Sequence, residues 1–463
     1  MSLPLHKDLF RALPLILLVS LLSGCSAVPT RETPPVAAPE RFSQSGGERL
    51  VPERWWLDLA DPSLNRLVEQ ALAHNFSLRA AWARLRQAEA VARREGAARL
   101  PTLDLKGNLT RSDGSDTQAD TSRQLGLYAG YELDLWGRVK ASADAAALDA
   151  QASQADLRTA ALSLSATLAD TWYQLVEQRS QIALISRQLD INRQLLELIE
   201  GRFRSGQASA SDVYRQRQLQ AQTEGEMAQA ETRLKTLEHQ LLILLGSAPG
   251  SRTLPGDAEL PVLLPLPATG LPSELLARRP DLQAALLRLQ ASDARAAAAV
   301  ANRYPRLDLS AALITPGATG GVFDGWLGNL VAQLTAPLFD GGERRAEVAR
   351  TEAVVRESLN DYAQILLEAL GEVEDALVAE AGQRRYLAAI DAQLEALKTV
   401  ATQEGKRYFQ GDADYLSVLD AMRSRQSLER QQVSARRELI SDRIALVTAL
   451  AGGWSMTSED EPQ

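Results

Sequence analysis

Apolar residues recur along this chain in two rhythms, and each rhythm occurs twice. Leu168, Leu175, Ile182, Leu189 and Leu196 fall every seven residues, while Leu387, Ile390, Leu394, Leu397 and Ala401 alternate steps of three and four. Such spacings put a narrow apolar seam on a helix that packs along a partner helix as in a coiled coil. The surrounding runs, Arg138 to Glu200 and Glu343 to Glu404, are about 62 residues each, on the order of 90 Å of helix at ~1.5 Å per residue. No single globular core accommodates that length, so the seam must stabilise it. The second rhythm is strict alternation, which predicts strands. Leu103, Leu105, Gly107 and Leu109 are matched by Leu307, Leu309, Ala311 and Leu313. Polar or glycine-rich loops follow, Arg111 to Arg123 and Thr315 to Gly325. Then come Leu125, Leu127, Ala129, Tyr131, Leu133 and Leu135, matched by Leu330, Ala332, Leu334, Ala336 and Leu338.

The two sets stand about 205 residues apart, as do Gly137-Arg138 and Gly342-Glu343, and the turn glycines Gly206 and Gly411. An offset held over so long a stretch marks an internal duplication. It divides the chain into a leader (1–24), a tether (25–60), a first repeat (61–246), a Pro-rich connection (247–271), a second repeat (272–454) and an acidic tail expected to be disordered (455–463). Each repeat holds a helical run (Pro62 to Arg99; Pro272 to Asn302), a β-hairpin (102–135; 306–338) and a long helical hairpin with its tip near Gly206 or Gly411. The return helices are expected over Ser209 to Leu245 and Asp414 to Leu450. By length, two shorter helices stacked end to end match one long one.

Each strand is about ten residues long, the length of a membrane β-strand. Four strands do not close a barrel, and an open edge in lipid leaves backbone groups unpaired at several kcal/mol each. In a bilayer, several chains must therefore share one barrel. A small soluble sheet packed on helices fits the alternation equally well. The N-terminus, together with the two long helices, tips the choice to membrane. Lys7 and Arg11 flank the start of an apolar stretch, Ala12 to Gly24, that is too short to span a bilayer. It ends in Leu22-Ser23-Gly24-Cys25, which resembles the bacterial lipobox. That resemblance implies S-diacylglycerol and N-palmitoyl groups on Cys25, with Ser26 favouring the outer membrane.

Composition narrows the chemistry. Cys25 is the single cysteine among 463 residues, so an intrachain disulfide and a Cys-based zinc cluster are excluded. His6, His74 and His239 are scattered, and no metal site is expected. With a net charge of −9 and no basic block, nucleic acid is not an expected partner. No nucleophile–base pair or phosphate loop stands out, so neither an enzyme nor a cofactor other than the covalent lipid is expected.

A set of short motifs then points to a family: Trp55-Trp56 with Asp61-Pro62; Tyr131-Glu132-Leu133-Asp134-Leu135-Trp136-Gly137-Arg138; Ala277-Arg278-Arg279-Pro280-Asp281-Leu282; Pro337-Leu338-Phe339-Asp340-Gly341-Gly342; Arg407-Tyr408 with Gly411; Tyr415 with Val418-Leu419-Asp420-Ala421 and Arg423; and Gly452-Gly453-Trp454. Together they resemble the TolC/OprM superfamily, specifically the lipidated (NodT-type) outer-membrane subunits of resistance-nodulation-division efflux pumps. The resemblance implies an α+β membrane protein and a homotrimer with a shared twelve-stranded outer-membrane β-barrel. Below it lie a periplasmic α-barrel and an equatorial belt. The partners implied are a periplasmic adaptor (membrane fusion) protein, an inner-membrane transporter and outer-membrane lipid. The function implied is a passive exit duct for drugs or other small molecules. A duct for type I protein secretion shares the fold. An adaptor lipoprotein would carry one hairpin rather than two, and a purely structural coiled coil would not explain the strands.

The family's periplasmic gate maps onto Asp420 (acidic ring), Arg423 (basic neighbour), Leu416 (apolar constriction) and Tyr408 (closing aromatic). TolC itself has a second acidic ring where this chain has Ser417, and an arginine where it has Ala413. The residues alone favour Asp420 as a solvated side chain paired with Arg423 three residues on.

Overall fold

The computed structural model describes residues 36–450, apart from 37–38, 45, 115–116, 257 and 316–324; side chains of 112–121 are also not described. The chain divides into two units, Met1–Pro35 and Val36–Gln463. The leader, Cys25, Gly452-Gly453-Trp454 and the tail therefore lie outside the described residues.

A 3-10 turn (Trp55–Leu59) leads into α1 (Pro62–His74) and α2 (Phe76–Ala97). Then come β1 (Thr102–Gly114), β2 (Thr117–Leu133), α3 (Arg138–Arg204) and α4 (Ala210–Leu244). The second repeat supplies α5 (Leu275–Arg278), α6 (Pro280–Ala301), β3 (Arg306–Ile314), β4 (Leu327–Thr335), α7 (Glu343–Gln410) and α8 (Tyr415–Ala449). Helix α3 packs along α2 and α4 in turn, and α7 along α6 and α8, so two shorter helices accompany each long one. The long helices exceed the expected lengths, at 67 and 68 residues, or roughly 100 Å. The extra turns run to the tip glycines through charged residues that carry no periodic signal.

Other expectations need correction. The run from Pro62 to Arg99 is broken at Asn75, whose side chain accepts from the Leu78 N–H at 3.0 Å and donates to the Leu244 carbonyl at 2.9 Å. One buried amide thus starts α2 and ties it to the end of α4. Gly246 completes that joint: its φ is +69°, and a Cβ there would meet the His74 carbonyl oxygen at 2.4 Å. The run from Pro272 is likewise split before Pro280, which cannot continue a preceding helix. The polar stretch Arg111 to Arg123 is not a loop, since β1 and β2 stay paired through Arg111↔Thr121 and Ser112↔Asp120. Ladder bonds need only backbone, so side-chain polarity did not mark the turn. Finally, β2 stops at Leu133 and β4 at Thr335, short of Leu135 and Leu338.

The strands form one antiparallel sheet in the order β1-β2-β3-β4. Its register aligns every alternating set on one face. Leu103 pairs Ala129, which pairs Ala311, which pairs Leu330; Leu105, Leu127 and Leu313 form the next row. Asp104, Lys106, Gln124, Asp308 and Gln333 lie on the opposite face. Leu103, Leu105, Leu109, Leu330 and Leu334 are 66–80% exposed. The apolar band is roughly 20–27 Å long along the strands. Among the described residues, no helix is long and apolar enough to cross a membrane.

At mid-length, the cores gather around Trp172 and Tyr173 of α3, with Trp55, Trp56 and Leu241 against them. Asp61 caps α1 through the Ser63 and Leu64 N–H groups and accepts from the Trp172 indole at 2.7 Å. Asp61 thus fixes the start of α1 against α3. Arg279 joins Asp281, Glu372 and the Ala449 carbonyl, fastening the start of α6 to α7 and the end of α8. Asp442 on α8 is pushed up from 3.8 to about 6, chiefly by burial and then by Glu438 and Glu380, with Arg437 working against it. An acid with a raised folded pKa holds its proton more tightly in the fold, so the stability it contributes below about 4 is lost as pH rises through about 6, and the loss is constant above that. Asp442→Asn is therefore expected to raise the melting temperature at pH 8 but not at pH 4. An equal gain at both would remove this account.

Candidate functional site

The two hairpin tips lie together at the end remote from the sheet. Each closes in the same way. The Gln207 N–H reaches the Arg202 carbonyl at 2.8 Å, and the Asp412 N–H reaches the Arg407 carbonyl at 2.9 Å. Gly206 and Gly411 take the left-handed conformation at φ +75° and +83°. This is the Schellman closure, which satisfies the last helical carbonyls. Ser209 with Asp212, and Asp414 alone, then cap the outgoing helices.

Ile199, Val213, Leu219, Tyr408, Tyr415, Val418 and Leu419 pack into one cluster drawn from α3, α4, α7 and α8. The rings of Tyr408 and Tyr415 lie 5.4 Å apart. The Tyr415 hydroxyl donates to Gln216 at 2.6 Å across the two hairpins. Burial pushes the Tyr415 phenol up, with Tyr408 and Asp212 adding to it. Tyr408 is also raised by burial, and the charge of Arg202 works against that. The Arg202 guanidinium lies 4.8 Å from the Tyr408 ring centre and 5.8 Å from that of Phe409. Its Nε is buried with no hydrogen-bond partner among the described residues, so the ring faces take its charge.

The sequence-derived residues divide here. Tyr408 is in the cluster, while Leu416 and Asp420 point outward from α8. Arg423 does not reach Asp420; it donates to Gln222 of the first hairpin at 3.1 Å. Among the described residues Asp420, which is exposed, has no hydrogen-bond or ion-pair partner.

Sequence reasoning missed the first hairpin's half of the joint: Arg202, Gln216 and Asn192. Asn192 accepts from Gln426 and donates to Thr223, at 2.9 and 3.1 Å. It ends a polar ladder between α3 and α8. Ser441 donates to Asp170; Ser434 and Arg437 donate to Glu177; Gln181 donates to Ser434; Arg430 donates to Gln188. The ladder runs about 30 Å. Within each hairpin the seams carry apolar clusters, Ile185, Leu189 and Ala230 in one and Ile390, Leu394 and Leu428 in the other. The signal was present in the sequence: Glu177, Gln181, Gln188 and Asn192 follow steps of four and seven beside the leucine heptads. Hydrogen-bonded seams exchange partners with water at a small net cost, whereas apolar seams do not. The joint between the hairpins is therefore polar along this stretch and apolar at mid-length and at the tips.

A family profile described as "Outer membrane efflux protein" matches residues 67–247 and 271–452. The chain is 33% identical to the pyoverdine export outer membrane protein OpmQ of Pseudomonas putida, covering 99% of each. It is also 33% identical to the outer membrane protein OprJ of Pseudomonas aeruginosa, covering 95% of each. The solved structure of the outer-membrane channel OprN superposes with a TM-score of 0.85 at 30% identity, covering 93% of this chain and all of that one.

Proposed function

This chain belongs to the outer membrane efflux protein family, and we propose that three copies of it assemble around one axis as the exit duct of a tripartite pump. It is an outer-membrane efflux channel that extends into the periplasm. The observation that carries the assembly is the sheet: one face apolar and exposed, the other polar, with β1 and β4 each leaving an edge unpaired within the chain. Three such sheets joined edge to edge supply twelve strands, an apolar outer band and a polar lumen. On this reading the long helices line a tunnel, and the tips are its periplasmic gate. A periplasmic adaptor and an inner-membrane resistance-nodulation-division transporter engage the tips. The cargo is small organic molecules, in keeping with the export of pyoverdine by OpmQ. Deleting the gene should raise accumulation of a fluorescent drug; unchanged accumulation with loss of a secreted protein would instead favour the type I secretion duct.

Two finer elements rest on the same reading. Cys25 carries the diacylglycerol and palmitoyl groups, so Cys25→Ser should abolish incorporation of labelled palmitate; retained label would refute it. Asp420, exposed and without a partner among the described residues of its own chain, forms a ring of three carboxylates near the axis beside Leu416. Such carboxylates repel one another and draw in cations. Asp420→Ala is expected to raise conductance in planar bilayers severalfold and to weaken cation preference. Identical current–voltage curves would return Asp420 to a solvated helix face.

A further inference from the structure

We infer that the strand–helix junction holds a membrane phospholipid by its phosphate, in a groove formed by Arg99, Tyr131 and Lys140. This rests on the outer-membrane reading above. The apolar rows of the sheet end at Leu133, Leu307 and Leu334, at the side where the helices begin. The membrane boundary lies at that level. Trp136 stacks on Tyr304 at 4.8 Å and donates to the Pro305 carbonyl, leaving both rings part-exposed at the same level. Amphipathic rings of this kind settle at the headgroup layer.

A groove of ≈ 240 Å³ opens beside Tyr131, lined also by Ala98, Arg99, Glu132, Asp134, Val139 and Lys140. The register puts Tyr131 on the apolar face, in line with Leu127 and Leu133. The acids are already committed. Glu132 takes both prongs of Arg138. Asp134 accepts from the Val139 and Lys140 N–H groups at 3.1 and 2.7 Å. Asp144 lies against Arg99 and is 3.7 Å from the Lys140 ammonium, which is 74% exposed. An ammonium has three donors, so Lys140 keeps capacity for an anion from outside.

The duplication supplies an independent observation. Arg303 and Arg345 occupy the equivalent steps, just before β3 and in the first turn of α7. Both are exposed, and neither has an ion-pair partner among the described residues. Both repeats therefore put two cations where the apolar band ends, which is where lipid phosphates lie. Each cation near an anionic surface is worth about fivefold in lipid affinity.

The test uses the full-length protein, purified from membranes in detergent and delipidated. Native mass spectrometry counts bound lipid after addition of phosphatidylglycerol, phosphatidylcholine or soluble glycerol phosphate. The wild type should retain phosphatidylglycerol over phosphatidylcholine and ignore glycerol phosphate at the same concentration. Lys140→Glu, a change at an exposed position, should lower phosphatidylglycerol retention at least fivefold. Lys106→Glu, on the opposite face of the sheet, should not. Equal retention by wild type and Lys140→Glu, or no preference between the two lipids, would overturn the assignment. Binding of glycerol phosphate alone would overturn it too, in favour of a free-anion site. Conductance in planar bilayers separates this from the duct reading: a channel that conducts normally without lipid preference overturns only the headgroup site.

Discussion

Glu380→Ala is expected to lower stability by about 3–5 kcal/mol, the cost of leaving a buried charge without its partner. Glu380 is 1% exposed and Arg443 6%. Their contact is two-pronged, at 2.8 and 2.7 Å, and Arg384 adds a second cation to the same carboxylate. Arg443 also donates to the carbonyls of Leu264 and Pro265, at 2.8 and 3.2 Å. The pair thus clamps the 247–271 connection onto α7 and α8. Two consequences can be separated experimentally. Helical circular dichroism in detergent should show earlier melting for Glu380→Ala, and limited proteolysis should cut first within the connection. Replacing both residues by methionine should recover most of the loss, because no unpaired charge remains buried. If the double replacement melts as early as the single one, the pair matters for packing rather than for charge.

Arg202→Ala is expected to loosen the tip. A guanidinium against an aromatic face contributes about 0.5–2 kcal/mol, depending on desolvation. Removing it should shift the closed-to-open ratio by about two- to thirtyfold per chain. Tyr408→Phe keeps the ring face and should behave much like wild type, while Tyr408→Ala should resemble Arg202→Ala. Single-channel open probability is the measurement, and a double substitution no more open than either single one would show that the two act as one contact. If Tyr408→Phe opens the channel as far as Tyr408→Ala, the hydroxyl rather than the ring holds the tip.

What the sequence made legible follows from periodicity. Heptads and alternation located the long helices, the strands and the duplication because those features repeat, and the repeated glycines marked both tips. Breaks within a helical run were less visible. Asn75 reads as an ordinary polar residue until its contact with the Leu244 carbonyl, 169 positions away, is known. The polar continuation of β1 and β2 was hidden for a related reason, since backbone pairing does not depend on side-chain polarity. At the tips, α8 was readable through its motif. The Arg202 side was not, because a single arginine over a ring leaves no spacing to detect. Arg423 stands three residues from Asp420, yet its hydrogen bond goes to a residue about two hundred positions earlier.

The free edges of β1 and β4 bear on how the protein is made as well as on how it is used. A lone chain entering lipid would expose two rows of unpaired backbone groups, each costing several kcal/mol. If three copies share one barrel, as proposed above, they must meet before or during insertion, and the yield of channels should rise more steeply than linearly with chain concentration. A chain able to bind at one edge but damaged at the other would occupy a place without completing the ring. Expressed beside the wild type, such a chain should be dominant, silencing intact subunits in proportion to the assemblies it enters.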